Sequence, residues 1–467
     1  MNNKLKKIVI GVCLVSIVLG VTTFTEVTKA KDDAYNQDTD HQFMYEEEQS
    51  EQIITSGPNK YYMIKEGYLY AADKDDMNFK VMCNKPECEH NQSKTQKDKM
   101  ECEGYFLTSR FLAYYNGNLY VTSRHYVKGE GGGKLELVKL SLDGKKKEVV
   151  YTFDKSPTSI AIHRGELYYS IRDDIDSTGS MYRTRHVLNK VKLGDEKATN
   201  LYKGNLNREE VIEDITCYGK YIYFTVRSYK DDEITSKQMY YDTVTNTVER
   251  IHSDDDRDIV RNVEIAGDKI IYSVCNIISE DDFTYKDYMA NLDGSEVEES
   301  FTEKIHGAVH GDGENFIVKT VDKETFDATG IQIYSPEGEL ILDKDTNYFR
   351  ESSDIDEKEG TPYFEEIQYF KEDSKLIAGD KDYLFILNEV YDRQQILSVD
   401  KQKLINDEFK VKRLLNGDNS KDIVVRNELK VASHEVDYKN NEDKTYEDGT
   451  AEWEYIVLPV RKTADCK

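Results

Sequence analysis

The chain has 467 residues, with 63 Lys and Arg against 90 Asp and Glu, a formal net charge of −27 and 38% hydrophobic residues. A field of that sign repels phosphate backbones and anionic headgroups, which argues against nucleic acid and against an anionic membrane surface as partners. With 34 Tyr, 16 Phe and only 6 Pro, the composition suits many twisted strands, and no extended helical or heptad pattern follows residue 30.

Lys4, Lys6 and Lys7 precede an apolar run from Ile8 to Val21, and a polar stretch then ends in Thr28-Lys29-Ala30. This is the pattern of a secretory signal peptide over residues 1–30, with small side chains at Thr28 and Ala30 suited to cleavage before Lys31. The run is shorter than the ~20 residues of a membrane helix. An uncleaved N-terminal segment is the one route left open to membrane association. Cys13 follows the bulky Val12, which disfavours a lipid-modified cysteine, so it reads as one more small apolar residue. Residues 31–50 read as a disordered or linker segment. The mature chain carries a net charge of about −30, which suits cations, basic partners or plain solubility outside the cell.

From residue 66 onward a turn followed by an aromatic strand recurs. The copies are Glu66-Gly67-Tyr68-Leu69-Tyr70, Asn116-Gly117-Asn118-Leu119-Tyr120, Arg164-Gly165-Glu166-Leu167-Tyr168, Gly219-Lys220-Tyr221-Ile222-Tyr223, Gly267-Asp268-Lys269-Ile270-Ile271-Tyr272 and Gly313-Glu314-Asn315-Phe316-Ile317. Weaker copies stand at Asp380-Lys381-Asp382-Tyr383-Leu384-Phe385 and Asn427-Glu428-Leu429-Lys430-Val431, and the steps between anchors are 50, 48, 54, 48, 46, 67 and 47 residues. Each unit reads as four strands. In the second, these are Phe111–Tyr115, Leu119–Ser123, a strand through Leu135, Leu137 and Leu140, and Glu148–Phe153, with tight turns at Asn116-Gly117 and Asp143-Gly144. Third-to-fourth turns recur at Gly194-Asp195, Thr245-Asn246, Asp293-Gly294 and Glu337-Gly338.

Repeats of this size predict an all-β fold, a single β-propeller of four-stranded blades over residues 51–462 with a tail at 463–467. Eight blades fit the count better than seven. Ile423–Arg426, Leu429–His434 and Trp453–Val460 supply three strands of a last unit, which Gln52–Thr55 would complete. In this geometry the second-to-third loops and the blade-to-blade connections share one face. The long segments Arg124–Lys134, Arg172–Ser180, Arg227–Ser236, Asn276–Lys286 and 349–363 collect there, where binding residues tend to sit.

Between the first and second units lies Cys83-Asn84-Lys85-Pro86-Glu87-Cys88-Glu89-His90, followed by Cys102. Three thiolates and an imidazole form a complete tetrahedral set for structural zinc, with no position left open for catalysis. The spacing is not that of the common zinc fingers. In an exported chain a disulfide among these cysteines, with one left over, is the competing reading.

This segment, placed after a Tyr-rich hairpin and before the Gly-x-Leu-Tyr repeats, resembles an uncharacterised group of exported propeller-like proteins of anaerobic Gram-positive bacteria. The group is similar to a domain of unknown function related to the receptor-type YWTD propeller. The likeness spans about residues 60–460, and Cys83, Cys88, His90 and Cys102 match its cysteine segment one for one. It implies a propeller at the outer face of a Gram-positive envelope and no established activity. The lipid-modified Cys common in that group is missing here.

Elsewhere, Cys217 and Cys275 fall in or beside predicted strands and read as buried, inert thiols; Cys466 reads as an exposed one. His306 and His310 are four apart on a predicted strand, about 13 Å, which is too far for one ion. Asp174-x-Asp176-x-Thr178-Gly179 begins like a calcium loop, but Arg185 occupies the position of its bidentate Glu. Asp254-Asp255-Asp256 and Glu280-Asp281-Asp282 read as solvated charge runs. No Gly-x-Ser-x-Gly elbow, phosphate loop or His-Glu-x-x-His helix is present in the sequence.

The function expected from these readings is a binding or sensory module, secreted or at the extracellular face of a Gram-positive envelope. It is monomeric, takes a protein or glycan ligand, and carries structural zinc on Cys83, Cys88, His90 and Cys102. The alternative is a propeller-fold carbohydrate-active hydrolase or lyase using carboxylates on the long-loop face. A purely structural envelope protein is the third class, and a broad exposed apolar patch would mark it.

Overall fold

A computed structural model describes residues 35–47, 51–65, 67–75, 77–88, 90, 95–125, 133–175, 183–230, 233–251, 259–260, 263–279, 282–305, 307–325, 327–351, 367–368, 375–390, 393–408 and 411–415. They form a β-propeller, an array of antiparallel four-stranded sheets in chain order. Five such sheets stand alone. A nine-stranded sheet joins two more through Ile259–Val260, which pairs in parallel at Ser236 of one blade and antiparallel at Cys275 of the next. The described residues therefore contain seven four-stranded units. The strands expected over 423–460 lie outside them, as do the signal segment and the tail. No helix of the described residues is long and apolar enough to cross a membrane.

Local chemistry sets the second blade as its sequence predicts, with strands Leu112–Tyr115, Asn118–His125, Lys134–Ser141 and Lys147–Phe153. The Asn116-Gly117 turn has both residues at positive φ, 44° and 72°, as a tight hairpin requires. The first blade departs from expectation. Its strands are Ile54–Ser56, Lys60–Lys65, Tyr68–Asp73 and Lys80–Val81, so the turn at Gly67 joins the second strand to the third. The counterpart of the other anchors is Gly57-Pro58-Asn59-Lys60, where the Gly57 N–H bonds the Lys60 carbonyl just as Asp312 bonds Asn315 and Asp380 bonds Tyr383. Two successive Gly turns, each followed by Tyr-rich sequence, look alike locally, and only the sheet order tells them apart. Consequently Ile54–Ser56 is the first strand of the first blade, paired with Lys60–Lys65, and does not complete a last one.

Each sheet is apolar on both faces because each is covered by a neighbour on both sides. Tyr62, Leu69, Leu112 and Leu119 fill the layer between blades one and two. Phe111, Leu137, Ile162 and Leu167 fill the next, and Ile317, Ile333, Leu384 and Ile386 the layer between six and seven. First strands of successive blades also bond across the gap. The Tyr114 N–H donates to Thr55 Oγ1 (2.9 Å), Ile215 N–H to Ser159 Oγ (3.1 Å) and Gly311 N–H to Glu264 Oε2 (2.8 Å). Gly311 permits the last of these, since a Cβ there would stand 2.2 Å from the Ile265 carbonyl oxygen. Blade seven packs directly on blade one. Tyr61 meets Phe385 and Tyr383 edge-on at 5.3 and 5.7 Å, and its hydroxyl donates to Asp380 Oδ2 at 2.6 Å.

Residues 35–45, expected to be linker, are instead packed into the middle of the ring of first-to-second turns. Asp38 accepts at its carbonyl from the Asn116 N–H (2.7 Å), and Thr39 from Arg164 (2.7 Å). Arg164 grips Asp40 through Nε and Nη2 at 2.8 and 3.0 Å. Gln42 accepts from the Thr55 hydroxyl and the Ser56 N–H and donates to the Ser56 carbonyl, and Met44 accepts from His310 Nε2. Tyr45 donates to Asp380 Oδ2 at 2.5 Å. The segment thus ties blades one, two, three, six and seven, while Tyr35 and Phe43 rest on Tyr218 of blade four. A chain segment saturated with long-range bonds and buried apolar contacts is ordered, whatever its local composition.

His163 makes this contact pH-sensitive. It is buried, and its Nδ1 accepts from the His41 N–H (3.1 Å), so Nε2 carries the proton given to the Gly219 carbonyl (2.7 Å). Burial is the main cause that brings its pKa from 6.5 to about 4; Arg164 and His41 push the same way, against Asp40 and the Gly219 bond. Between those values the unfolded chain takes up a proton the folded one refuses. The stability it contributes is therefore complete above pH 6.5 and lost as pH falls toward 4, roughly 3 kcal/mol in all. Urea unfolding from pH 7 to 4.5 is expected to show this decline, and His163→Asn to flatten it.

Candidate metal centre

The residues between blades one and two build the most distinctive group of side chains. Beyond Val81, the Met82 N–H still bonds the Leu69 carbonyl, and the chain then turns through Cys83–Cys88, where the Cys88 N–H reaches the Lys85 carbonyl. After the short helix Gln96–Lys99, Cys102 donates back to the Lys99 carbonyl. The segment then zips onto the start of the third strand, with Leu69 N–H to Gly104 and Phe106 N–H to Gly67 at 2.8 and 2.7 Å. A bridge between Tyr68 and Tyr105 completes this seam.

These turns bring together all four residues that the sequence singles out. The ligand atoms of Cys83, Cys88, His90 and Cys102 lie within 4.8 Å of one another. Cys102 is buried and the other three are half-buried. The Tyr68 ring meets the His90 imidazole edge-on at 5.9 Å. None of the three thiols is in a disulfide, and neither is Cys217 or Cys275. Around them the segment is exposed and mostly polar, at Asn84, Lys85, Pro86, Glu87, Lys97, Asp98, Met100 and Glu101.

Electrostatics distinguish the thiols. Burial pushes Cys102 up to about 12, with Cys83 and Cys88 adding to the shift and the Gly104 N–H opposing it. Burial also raises Cys83, but the N–H groups of Lys85 and Glu103 and the other two thiols outweigh it and hold Cys83 below the ordinary thiol value. Three sulfurs and an imidazole at this separation are a donor set suited to a soft or borderline cation. The group could hold a metal ion, and with four protein ligands it would leave no position for substrate.

The other sequence candidates have different fates. Cys217 and Cys275 are buried, as read. His310 is spent on Met44 and lies 3.7 Å from Glu264, and His306 lies outside the described residues. So do Asp176, Thr178, Gly179, Asp254-Asp255-Asp256 and Glu280-Asp281; Arg185 pairs with Asp173 at 3.2 Å. Sequence reading missed the polar groups around residues 35–45. Asp380 accepts from two tyrosines, and the buried Lys401 donates to the Asp312 carboxylate and to the Asp380 carbonyl. Each stands at or after a turn, where Asp and Lys are unremarkable, so no local signal marks them.

No protein-family model matches this chain, and no curated protein matches it in sequence. Among solved structures it is similar to an oligogalacturonate lyase in complex with manganese (10% identity, 72% of this chain and 84% of that one, TM-score 0.39). It is also similar to a putative TolB from Agrobacterium tumefaciens (13%, 53% and 79%, 0.31). A third is the β-propeller domain of the Trilobed protease from Pyrococcus furiosus (12%, 67% and 96%, 0.38). Likeness at this level carries no argument about what this chain does.

Proposed function

We propose that this protein is an exported propeller that binds a protein or glycan at the outer face of a Gram-positive envelope, with zinc holding the 83–102 segment in shape. The observation that carries the reading is the occupation of the ring of first-to-second turns by residues 35–45. Carboxylates do converge there, but they are engaged. Asp40 is held by Arg164, Asp312 by Lys401, and Asp380 by the Tyr45 and Tyr61 hydroxyls together with its own turn amides. A hydrolase or lyase working on this face would need carboxylates turned to substrate, and these face the chain itself; acids on the opposite, long-loop face are what an assay for sugar release tests. Zinc follows from three thiolates plus an imidazole in a closed set, and its role is structural. The apolar N-terminal run supports export, and the resemblance of the cysteine segment to exported Gram-positive proteins agrees with it.

The chain from residue 31, mixed with Gram-positive envelope fragments, is expected to co-sediment with them while releasing no reducing sugar or unsaturated uronate. Sugar release would favour the enzyme, and failure to sediment would remove the binding reading.

A further inference from the structure

We infer that the outer wall between blades three and four is a binding site for anionic envelope polymers, sugar or polyol chains bearing carboxylate or phosphate groups, an inference that rests on the protein being a glycan-binding module. The connection 204–210 leaves the last strand of blade three, Thr199–Lys203, and enters blade four at Val211. It borders a solvent-open cavity of about 490 Å³ lined by Tyr202, Lys203, Asn205, Arg208, Glu210 and Lys237. Three of the six are cations, in a chain whose net charge is −27.

The one carboxylate among them is turned to internal use. Glu210 is buried, and its Oε2 accepts from the Asn205 N–H at 2.7 Å and the Tyr202 hydroxyl at 3.3 Å. That bond fixes the connection, and two backbone bonds secure it further, His186 N–H to the Glu210 carbonyl and Gly204 N–H to the His186 carbonyl, both 2.9 Å. Gly204 is required for so close an approach, because a Cβ there would stand 2.8 Å from the Glu210 carbonyl oxygen. The wall is thus preformed. Ammonium and guanidinium groups on a rigid wall suit a carboxylate or phosphate, and the amide and phenol beside them suit sugar hydroxyls. Because the cavity is open, it admits a segment of a chain and not only an enclosed small molecule. It also lies at a blade-to-blade connection, on the face where the long loops were expected to gather.

Calorimetric titration of the chain from residue 31 separates the outcomes, using a uronic-acid hexamer, a glycerol-phosphate oligomer and a neutral glucan hexamer. One or both anionic oligomers are expected to bind, and the stronger arm identifies carboxylate or phosphate. Lys203→Gln and Lys237→Gln are each expected to weaken binding about tenfold, the worth of one charged hydrogen bond. Lys145→Gln, on a distant exposed turn, is expected to leave it unchanged. Binding of the neutral hexamer as tightly as the acidic ones, no binding of either anion, or indifference to both cavity variants would overturn the site. If the Lys203→Gln Lys237→Gln chain still sediments with envelope fragments as wild type does, this site fails while the binding reading stands; no sedimentation by wild type removes the reading itself.

Discussion

Purified protein is expected to carry one zinc per chain, and Cys88→Ser is expected to lose it while the blades stay folded. Among the described residues, the backbone bonds that tie this segment to blade one are confined to its two ends, at Met82, Gly104 and Phe106. Its described side chains between Asn84 and Glu101 are mostly exposed and polar. Fixing a residue costs on the order of 1–2 kcal/mol in backbone entropy. Ordering the segment therefore takes more than its few local turns return, and zinc would supply part of the difference because the free energy of binding it is free energy of folding. Elemental analysis gives the stoichiometry, and trypsin gives the consequence. Lys97 and Lys99 should resist cleavage in the wild type and be cut in Cys88→Ser or after chelation. A metal-free protein whose cysteines are joined by a disulfide would end the proposal.

The second large effect concerns Asp40. Its side chain is fully buried and Arg164 is 29% exposed, with two hydrogen bonds between them. Asp40→Ala leaves the guanidinium half in a low-dielectric site without its partner, and also releases the Asn36 N–H, which bonds Oδ2 at 3.1 Å. Because Arg164 can reach some water, the loss belongs at the low end for a broken buried pair, about 3 kcal/mol. Urea unfolding should show that drop. Arg164→Lys should recover little, since an ammonium cannot make the paired contact. A change under 0.5 kcal/mol in Asp40→Ala would mean that residues 35–45 rest on the ring without supporting it.

Turn chemistry and apolar alternation made most of the blades legible. Asn116-Gly117 closes its hairpin because both residues tolerate positive φ, and Leu112 and Leu119 are buried in strands whose successive residues are covered on both faces by neighbouring blades. The cysteine group was legible for a related reason: its four ligands fall within twenty residues, so short turns suffice to gather them. Blade one was misread by one strand, since Gly57-Pro58 and Gly67 offer equivalent local signals.

Short-range preferences in the chain by themselves determined the strands, the tight turns and the Cys83, Cys88, His90 and Cys102 set. Only the tertiary structure decided the strand phase of blade one and the burial of residues 35–45. The bonds that hold that segment join residues 122, 124 and 335 positions apart, at His41 to His163, Arg164 to Asp40 and Tyr45 to Asp380. Such partners become neighbours only once the sheets are arrayed about one axis. Their attraction then depends on burial, which a linear pattern of charges and tyrosines does not encode.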